Sequence, residues 1–312
     1  MAGFFGLFNY SKPGKGVDKN APEKKRFFLF FELLWRKLFK IIQLNIIYFI
    51  LTLPVMAWLT VSFVNMIGVP PESIATDFLF MIYIYLLALP APIPQILVIL
   101  SVILFGPITA GVTYAFRNFA RQEHVWIFSD LFEKTKQNFK QGLLAGIIDI
   151  LVVYSFMLYV CAGNFDSSLM GQYLVLLKYV AVVVFFIYCI MRFYIYTIMV
   201  TFELNYFAIL RNAGIFVILG IVRNLCTILF CTIVILLCSY IPIITMPFIM
   251  YGLTGFITVF NAYPVIDKYM LSRANEAQQG SVDIEYLDGE VQTDEPIFED
   301  DVNHYNKKDD EE

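Results

Sequence analysis

The sequence predicts an all-α, polytopic transmembrane helix bundle with about six spans, and three long segments without charged side chains are the main reason. No Asp, Glu, Lys or Arg occurs in residues 41–71, 78–116 or 224–266. A hydrocarbon core about 30 Å thick is spanned by roughly 20 helical residues, whereas a helix in a water-soluble protein keeps one polar face. The composition agrees, since 59% of the 312 residues are hydrophobic and 17% are aromatic.

The charges divide the chain into a basic body and an acidic end. Residues 279–312 hold thirteen carboxylates and two lysines, a net charge of −11, so the rest of the chain carries +7 within the total of −4. A basic body suits an anionic membrane surface, and a strongly acidic segment is typical of disorder. We therefore predict a membrane domain at 27–270 between a flexible basic cytoplasmic N-terminus, 1–26, and a disordered acidic cytoplasmic tail, 271–312.

The first two spans are predicted at 41–66 and 95–116. Residues 27–40 precede them and alternate aromatic with basic side chains. Long cations of this kind extend toward lipid headgroups while their stems stay on apolar surface. The segment 27–40 is therefore expected to lie at the membrane interface before the first span begins.

Residues 78–90 form a short apolar segment that we predict does not cross the membrane. Pro90, Pro92 and Pro94 interrupt it, and proline ends or kinks a helix because it removes a donor and clashes with the preceding turn. The basic segment 117–140 belongs in the cytoplasm by the positive-inside rule. With the N-terminus also in the cytoplasm, an even number of crossings must separate the two.

Four further spans are predicted at 143–162, 173–196, 221–240 and 243–263, which leaves both ends of the chain in the cytoplasm. Residues 206–220 allow two interpretations, an interfacial helix or the first part of the fifth span.

The segment 117–140 is also expected to contain an amphipathic helix at the interface. Asp130 and Glu133 have the spacing of an N-cap residue and its reciprocal carboxylate.

Asp149 and Arg192 are the ionisable residues predicted to lie deepest in the spans. Asp149 lies eight residues, or about 12 Å, from a cytoplasmic boundary near residue 141. Arg192 lies at a similar depth on the next span, and a buried charge needs a partner. We hypothesise an Asp149–Arg192 pair, with a structural role favoured over a proton or substrate relay.

Small residues predict where helices pack closely. Gly142 and Gly146 open the third span in a GxxxG pattern, and Gly252 and Gly255 lie in the sixth. Small residues allow backbones to approach in a bilayer, although GxxxG alone is a weak signal.

The sequence contains no pattern that indicates an enzyme, a cofactor or a metal. No HExxH, GxSxG or Walker A motif occurs, and the five cysteines all lie in apolar segments without a CxxC. We therefore expect no enzymatic activity, no cofactor, no metal ligands and no nucleic-acid partner.

Several motifs resemble those of the YesL-like bacterial membrane proteins. The most specific is the run from Gly106-Pro107 through Tyr114 to Arg117, which resembles their GPATAG-x-x-Y…R motif. Further matches, within residues 28–270, are Asn45, Leu53-Pro54, Asn138 to Gln141, Tyr194 to Leu204, Arg211 to Ala213, Arg223 to Leu225, and Tyr263 to Val265. Residues 66–100 are an insertion relative to the family pattern.

The resemblance implies an integral protein of the bacterial cytoplasmic membrane, from a family without an assigned activity whose genes often lie beside carbohydrate-uptake ABC transporters. It supplies no catalytic or binding residues. The expected function is thus an accessory role in carbohydrate uptake, with the lipid bilayer and an ABC transporter or another membrane protein as partners. Two alternatives remain, a small-solute transporter using Asp149 and Arg192, and a membrane scaffold or sensor that binds a cytoplasmic partner.

Overall fold

The computed structural model describes residues 25–68, 70, 77–161 and 169–271, and within these ranges the chain is helical without a strand. The predicted flexible N-terminus and the acidic tail lie outside the described residues, apart from their inner ends. The chain divides into two compact units, 1–264 and 265–312. Of the second unit the structure describes 265–271, which complete the last helix and form a π-helical turn at Asp267–Leu271.

Ten α-helices follow one another along the described chain. They are α1 (Arg26–Ile67), α2 (Phe78–Leu87), α3 (Ile93–Ala120), α4 (Ile127–Gln137), α5 (Phe139–Cys161), α6 (Leu169–Met199), α7 (Tyr206–Leu219), α8 (Ile221–Cys238), α9 (Pro242–Thr245) and α10 (Tyr251–Ile266), with a π-helical segment at Met246–Met250 between the last two.

Six helical segments are long and apolar enough to cross a bilayer. They are α1, α3, α5, α6, α8 and the continuous segment Pro242–Met270 that contains α10. The predicted all-α bundle with six spans is confirmed, and the chain is a multi-pass membrane protein.

Helix α1 extends further than its expected span. It runs unbroken for 42 residues, or about 63 Å, so residues 27–40 continue the first span as one helix. No glycine lies inside it, and it ends at Gly68, whose φ of 68° is the left-handed conformation that glycine adopts without strain.

Helices α2 and α7 are too short to cross the bilayer. Helix α2 has ten residues, about 15 Å, and begins where the Asp77 carboxylate accepts a hydrogen bond from the Phe80 amide at 3.0 Å. Helix α7 has fourteen residues, begins at the Asn205 cap, and is separated from α8 by Gly220. Residues 206–219 thus form a helix of their own rather than a continuous first part of the fifth span.

The predicted cap of the amphipathic helix is wrong by one turn. Helix α4 begins at Ile127, so Trp126 rather than Asp130 is the N-cap residue. Asp130 lies in the first turn, and its carboxylate accepts a hydrogen bond from the Trp126 amide at 2.9 Å. Burial of Val125 and Ile127 explains the earlier start, because it holds this part of the chain against the core.

The centre of the bundle is α3, which contacts α1, α4, α5 and α6. Its closest neighbour is α5, because glycines face each other across the contact. A Cβ atom placed on Gly146 would lie 2.5 Å from the Gly106 nitrogen, and one placed on Gly142 would lie 2.8 Å from the Pro107 Cα. The α3 helix continues through Pro107 without interruption. Glycine is needed here because the two backbones touch.

We expect Gly146→Ala to destabilise the protein by about 1–3 kcal/mol, because the added methyl group forces α3 and α5 apart. Gly214→Ala in α7 is the matched control. Its Cβ would have only Met191 Cε nearby, at 4.0 Å, so better helix propensity should leave stability unchanged or raise it by about 1 kcal/mol. Thermal unfolding in detergent measures both, and an equal effect of the two substitutions would contradict close α3–α5 packing.

Candidate functional site

The candidate site is centred on the Asp149 carboxylate of α5, a charged group that is only 4% exposed. Three side chains of α6 donate hydrogen bonds to it. Tyr188 Oη lies 2.6 Å from Oδ1, while Tyr196 Oη and Arg192 Nε lie 2.7 Å and 2.8 Å from Oδ2. The helical spacing of four residues places all three donors on one face of α6. Such a carboxylate is fully compensated, as burial requires.

The structure therefore brings together the pair that the sequence analysis hypothesised, with Arg192 Nε 2.8 Å from Asp149 Oδ2. The two side chains differ in environment. The Asp149 side chain is enclosed, whereas 36% of the Arg192 side-chain surface is accessible. The Arg192 guanidinium also lies over the Tyr196 ring, 5.3 Å from its centroid. Such stacking holds the guanidinium group in place.

Tyr206, at the start of α7, adds another hydroxyl beside this cluster. Its hydroxyl oxygen is buried and has no hydrogen-bond partner among the residues that the structure describes. Burial, and to a lesser extent the negative charge of Asp149, raises the pKa of Tyr206 to about 12. This tyrosine is consequently protonated and neutral at physiological pH.

Arg192 lines an internal cavity of about 250 Å³ between α1, α3, α6, α8 and α10. Asp149 is not part of its wall. The polar side chains of the wall are hydroxyls and amides apart from the one guanidinium group: Asn45, Tyr48, Thr109, Thr113, Arg192, Tyr196, Thr197, Tyr251, Thr254 and Thr258. The surface of the cavity is mostly apolar, but it carries these polar side chains inside a membrane protein, where polar groups away from water have an energetic cost.

Asn45 joins α1 to the irregular segment of the last span. Its Nδ2 donates to the carbonyl oxygens of Met246 and Pro247, at 2.8 Å and 2.5 Å, and its Oδ1 accepts from the Gly252 amide at 2.6 Å. The π-helical segment leaves backbone groups without their regular partners. Asn45 satisfies these groups at the cavity wall, and this explains an asparagine in the middle of an apolar span.

The family-motif residue Arg117 is buried outside the cavity. Its Nη1 donates to the Val200 carbonyl at 2.5 Å, and its guanidinium group also contacts Asn118 Oδ1 and the Tyr114 ring. A cation that binds a carbonyl just beyond the C-terminus of α6 compensates the negative end of the helix dipole. Arg117 thus stabilises the end of α6.

Arg223, another family-motif residue, is half-buried in the first turn of α8 and lies near Tyr194. The hydrogen bonds that join the helices in this region are formed by the next residue, Asn224. Asn224 accepts from Tyr194 Oη at 2.7 Å and donates to the Phe216 carbonyl at 3.2 Å. Asn224 therefore joins α6, α7 and α8, while Arg223 does not contribute to the Asp149 cluster.

The sequence analysis identified Asp149 and Arg192 from their charge, and it missed the tyrosines and threonines around them. Tyrosine and threonine are frequent in membrane helices, so only their position marks them as part of the cavity. The i, i+4 spacing of Tyr188, Arg192 and Tyr196 was a usable signal. Within the described residues no group of three or more His, Cys, Asp or Glu side chains lies close enough to hold a metal ion.

Residues 27–160 match the family described as "Protein of unknown function, DUF624". The matched part covers α1 to α5 except for the first residue of α1, Arg26, and the last residue of α5, Cys161. It includes Gly106, Pro107, Arg117 and Asp149. This family has no assigned activity, in agreement with the expectation from the YesL-like resemblance. No curated protein and no solved structure matches the chain.

We expect Arg192→Gln to destabilise the protein by about 3–5 kcal/mol, because it leaves the enclosed Asp149 carboxylate without its charged partner. Asp149→Asn should cost less, about 1–3 kcal/mol, because the Arg192 side chain that it leaves unpaired is partly accessible. The double swap, Asp149→Arg with Arg192→Asp, should not restore stability. Position 149 is enclosed by two tyrosines, and an aspartate at 192 is too short to reach across. Arg211→Gln, at an exposed position, is the control and should change stability by less than about 0.5 kcal/mol. Full rescue by the swap would contradict this geometry.

We expect Arg117→Met to destabilise the protein by about 2 kcal/mol, since the carbonyl of Val200 loses its charged donor. Arg121→Met, at the C-cap position that follows the same helix, is the matched control. Arg121 forms an exposed ion pair with Glu123, and such pairs contribute about 0–1 kcal/mol. Equal losses of thermal stability would show that the buried contact of Arg117 is not the stabilising one.

Proposed function

We propose that this chain is a non-enzymatic, multi-pass protein of the bacterial cytoplasmic membrane that binds a small solute in its internal cavity. The observation that supports the proposal best is the partly accessible side chain of Arg192 in the wall of a cavity of about 250 Å³. Ligand pockets of drug-sized molecules have volumes of about 300–1,000 Å³, so this cavity suits a smaller molecule.

The different environments of Asp149 and Arg192 favour solute binding over a purely structural pair. A pair that only joined α5 to α6 would be best served by enclosure of both side chains, because accessible charges are screened and bind each other less. Here the carboxylate is enclosed by tyrosines and the cation borders open space. Asp149 thus acts as a positioning residue, and Arg192 is the group that a solute would contact.

The last span changes from π-helical to α-helical geometry at Tyr251, which lines the cavity, and this change also supports solute handling. Irregular backbone at membrane depth is stable where it is buried in protein or lines a cavity, as in the broken helices of transporters. The segment Met246–Met250 is π-helical, and its carbonyls are bound by Asn45 of the cavity wall. In the alternative as a transporter, the protein would also move the bound solute across the membrane.

The accessory role in carbohydrate uptake stays a second proposal. It is supported by the resemblance to YesL-like proteins, and it is compatible with solute binding by the cavity. Its partner would be a carbohydrate ABC transporter or another membrane protein. A scaffold role is supported only by the exposed aromatic side chains of Trp126, Phe128 and Phe132 near α4, which suit contact with lipid equally well.

Cys231 provides a direct test, because it lies in the cavity wall and is 9% exposed. In a variant whose other cysteines are replaced by serine or alanine, we expect iodoacetamide, a small neutral water-soluble reagent, to alkylate Cys231 in the folded protein. Thr258→Phe should fill the cavity and slow this reaction at least about tenfold, since the thiolate must be reached by water-borne reagent. Mass spectrometry of the purified protein measures the rate.

The matched control is a variant that keeps only Cys238, which is 8% exposed on the same helix and does not line the cavity. Its alkylation rate should be the same with and without Thr258→Phe. This test of access is run at about pH 9.5, because iodoacetamide attacks the thiolate and an apolar environment disfavours that form. No reaction at Cys231 under these conditions would show that solutes do not reach the cavity, and the proposed function would then fail.

A further inference from the structure

We propose that the cavity selects a small, neutral solute that carries several hydroxyl groups. This inference rests on the proposed function and adds the chemical class of the ligand. It follows from the charge of the cavity wall, from the hydrogen atoms and lone pairs that the wall offers, and from the aromatic rings beside them.

The charge of the site is already balanced without a ligand. Arg192 is the single charged residue of the described cavity wall, and its charge is compensated by Asp149 at 2.8 Å. An anionic or cationic solute would add one uncompensated charge to a low-dielectric interior, which is costly. A solute without net charge avoids this cost.

The hydrogen-bonding groups of the wall are of two complementary kinds. A guanidinium group only donates, whereas a hydroxyl oxygen accepts through its lone pairs. The hydroxyl hydrogens of the wall threonines are used within their own helices, in bonds from Thr109 to Phe105, Thr113 to Thr109, Thr197 to Phe193, Thr254 to Met250 and Thr258 to Gly255. Thr197 is fully buried, and Thr109 Oγ1 already lies 3.4 Å from the Tyr48 hydroxyl. Thr113, Thr254 and Thr258 are therefore the threonines that offer acceptor oxygens to a ligand.

A ligand that suits both kinds must accept from Arg192 and donate to the threonine oxygens. An alcohol hydroxyl does both, while a carboxylate only accepts and an ammonium group only donates. Several hydroxyls on one small molecule are needed because Arg192 of α6, Thr113 of α3 and Thr258 of α10 lie on three different helices of the wall. The aromatic rings of Tyr48, Phe116 and Tyr251 provide flat apolar surface for the carbon skeleton.

The experiment compares three solutes that share one carbon skeleton and differ in charge: D-glucose, D-gluconate and protonated D-glucosamine. Each is tested for protection of Cys231 against iodoacetamide in the single-cysteine protein. Glucose should protect, and gluconate and glucosamine should need concentrations at least about tenfold higher, since each brings an unpaired charge. Hexane-1,2-diol, with two hydroxyls, should protect less well than glucose.

Asp149→Asn changes the charge of the site and gives a second test. Arg192 then has no compensating carboxylate, so the preference should reverse and gluconate should protect at lower concentration than glucose. The double variant Asp149→Asn with Arg192→Gln restores a neutral site and should again prefer the neutral solute to gluconate. The wild-type series stands by itself if the Asp149→Asn protein does not fold.

The outcomes separate this inference from the proposed function. Lack of any reaction at Cys231 overturns the proposed function, and the inference with it. A reactive Cys231 that gluconate or glucosamine protects as well as glucose does, or that none of the solutes protects, leaves an accessible cavity and overturns the inference alone.

Discussion

The structure depends on a carboxylate that lies inside a membrane helix bundle. Asp149 is stable there because three donors of α6 bind its two oxygens, and these donors fix α6 against α5 along one face. The same requirement determines where Arg192 lies. Its Nε is held by Asp149, so the rest of the side chain extends to the cavity between α6 and the helices of the opposite wall. A structural interaction thereby positions a charged group at the cavity wall.

Small side chains of α3 explain both its close packing against α5 and the open space on its other side. Gly106 meets Gly142 and Gly146 where α3 touches α5, and the backbones approach until no methyl group fits. On its cavity side α3 carries Thr109 and Thr113, which are short and bind their own helix. Short side chains that face other helices leave volume unfilled unless the helices move together. The glycine contact and the Asp149 cluster hold them in place, so the volume persists.

Three buried polar residues of the bundle have structural partners, and two of them, Arg117 and Asn224, lie outside the cavity wall. Arg117 binds the carbonyl that follows α6, Asn224 joins α6 to the α7–α8 turn, and Asn45 binds the π-helical segment. Each satisfies backbone or hydroxyl groups that lipid cannot satisfy. Asn45 combines both roles, because it binds the π-helical segment and also lines the cavity itself.

The sequence by itself determined the fold class, the number of spans, the failure of residues 78–90 to span the membrane and the pairing of Asp149 with Arg192, because these follow from length, hydropathy and depth along single helices. It misplaced the start of α4, since burial of Val125 and Ile127 was a tertiary effect that capping preferences do not contain. Only the tertiary structure decided that α1 is continuous, that α7 is separate and that a cavity exists. A cavity is formed by side chains from five helices, and their juxtaposition depends on how the helices pack rather than on any one segment.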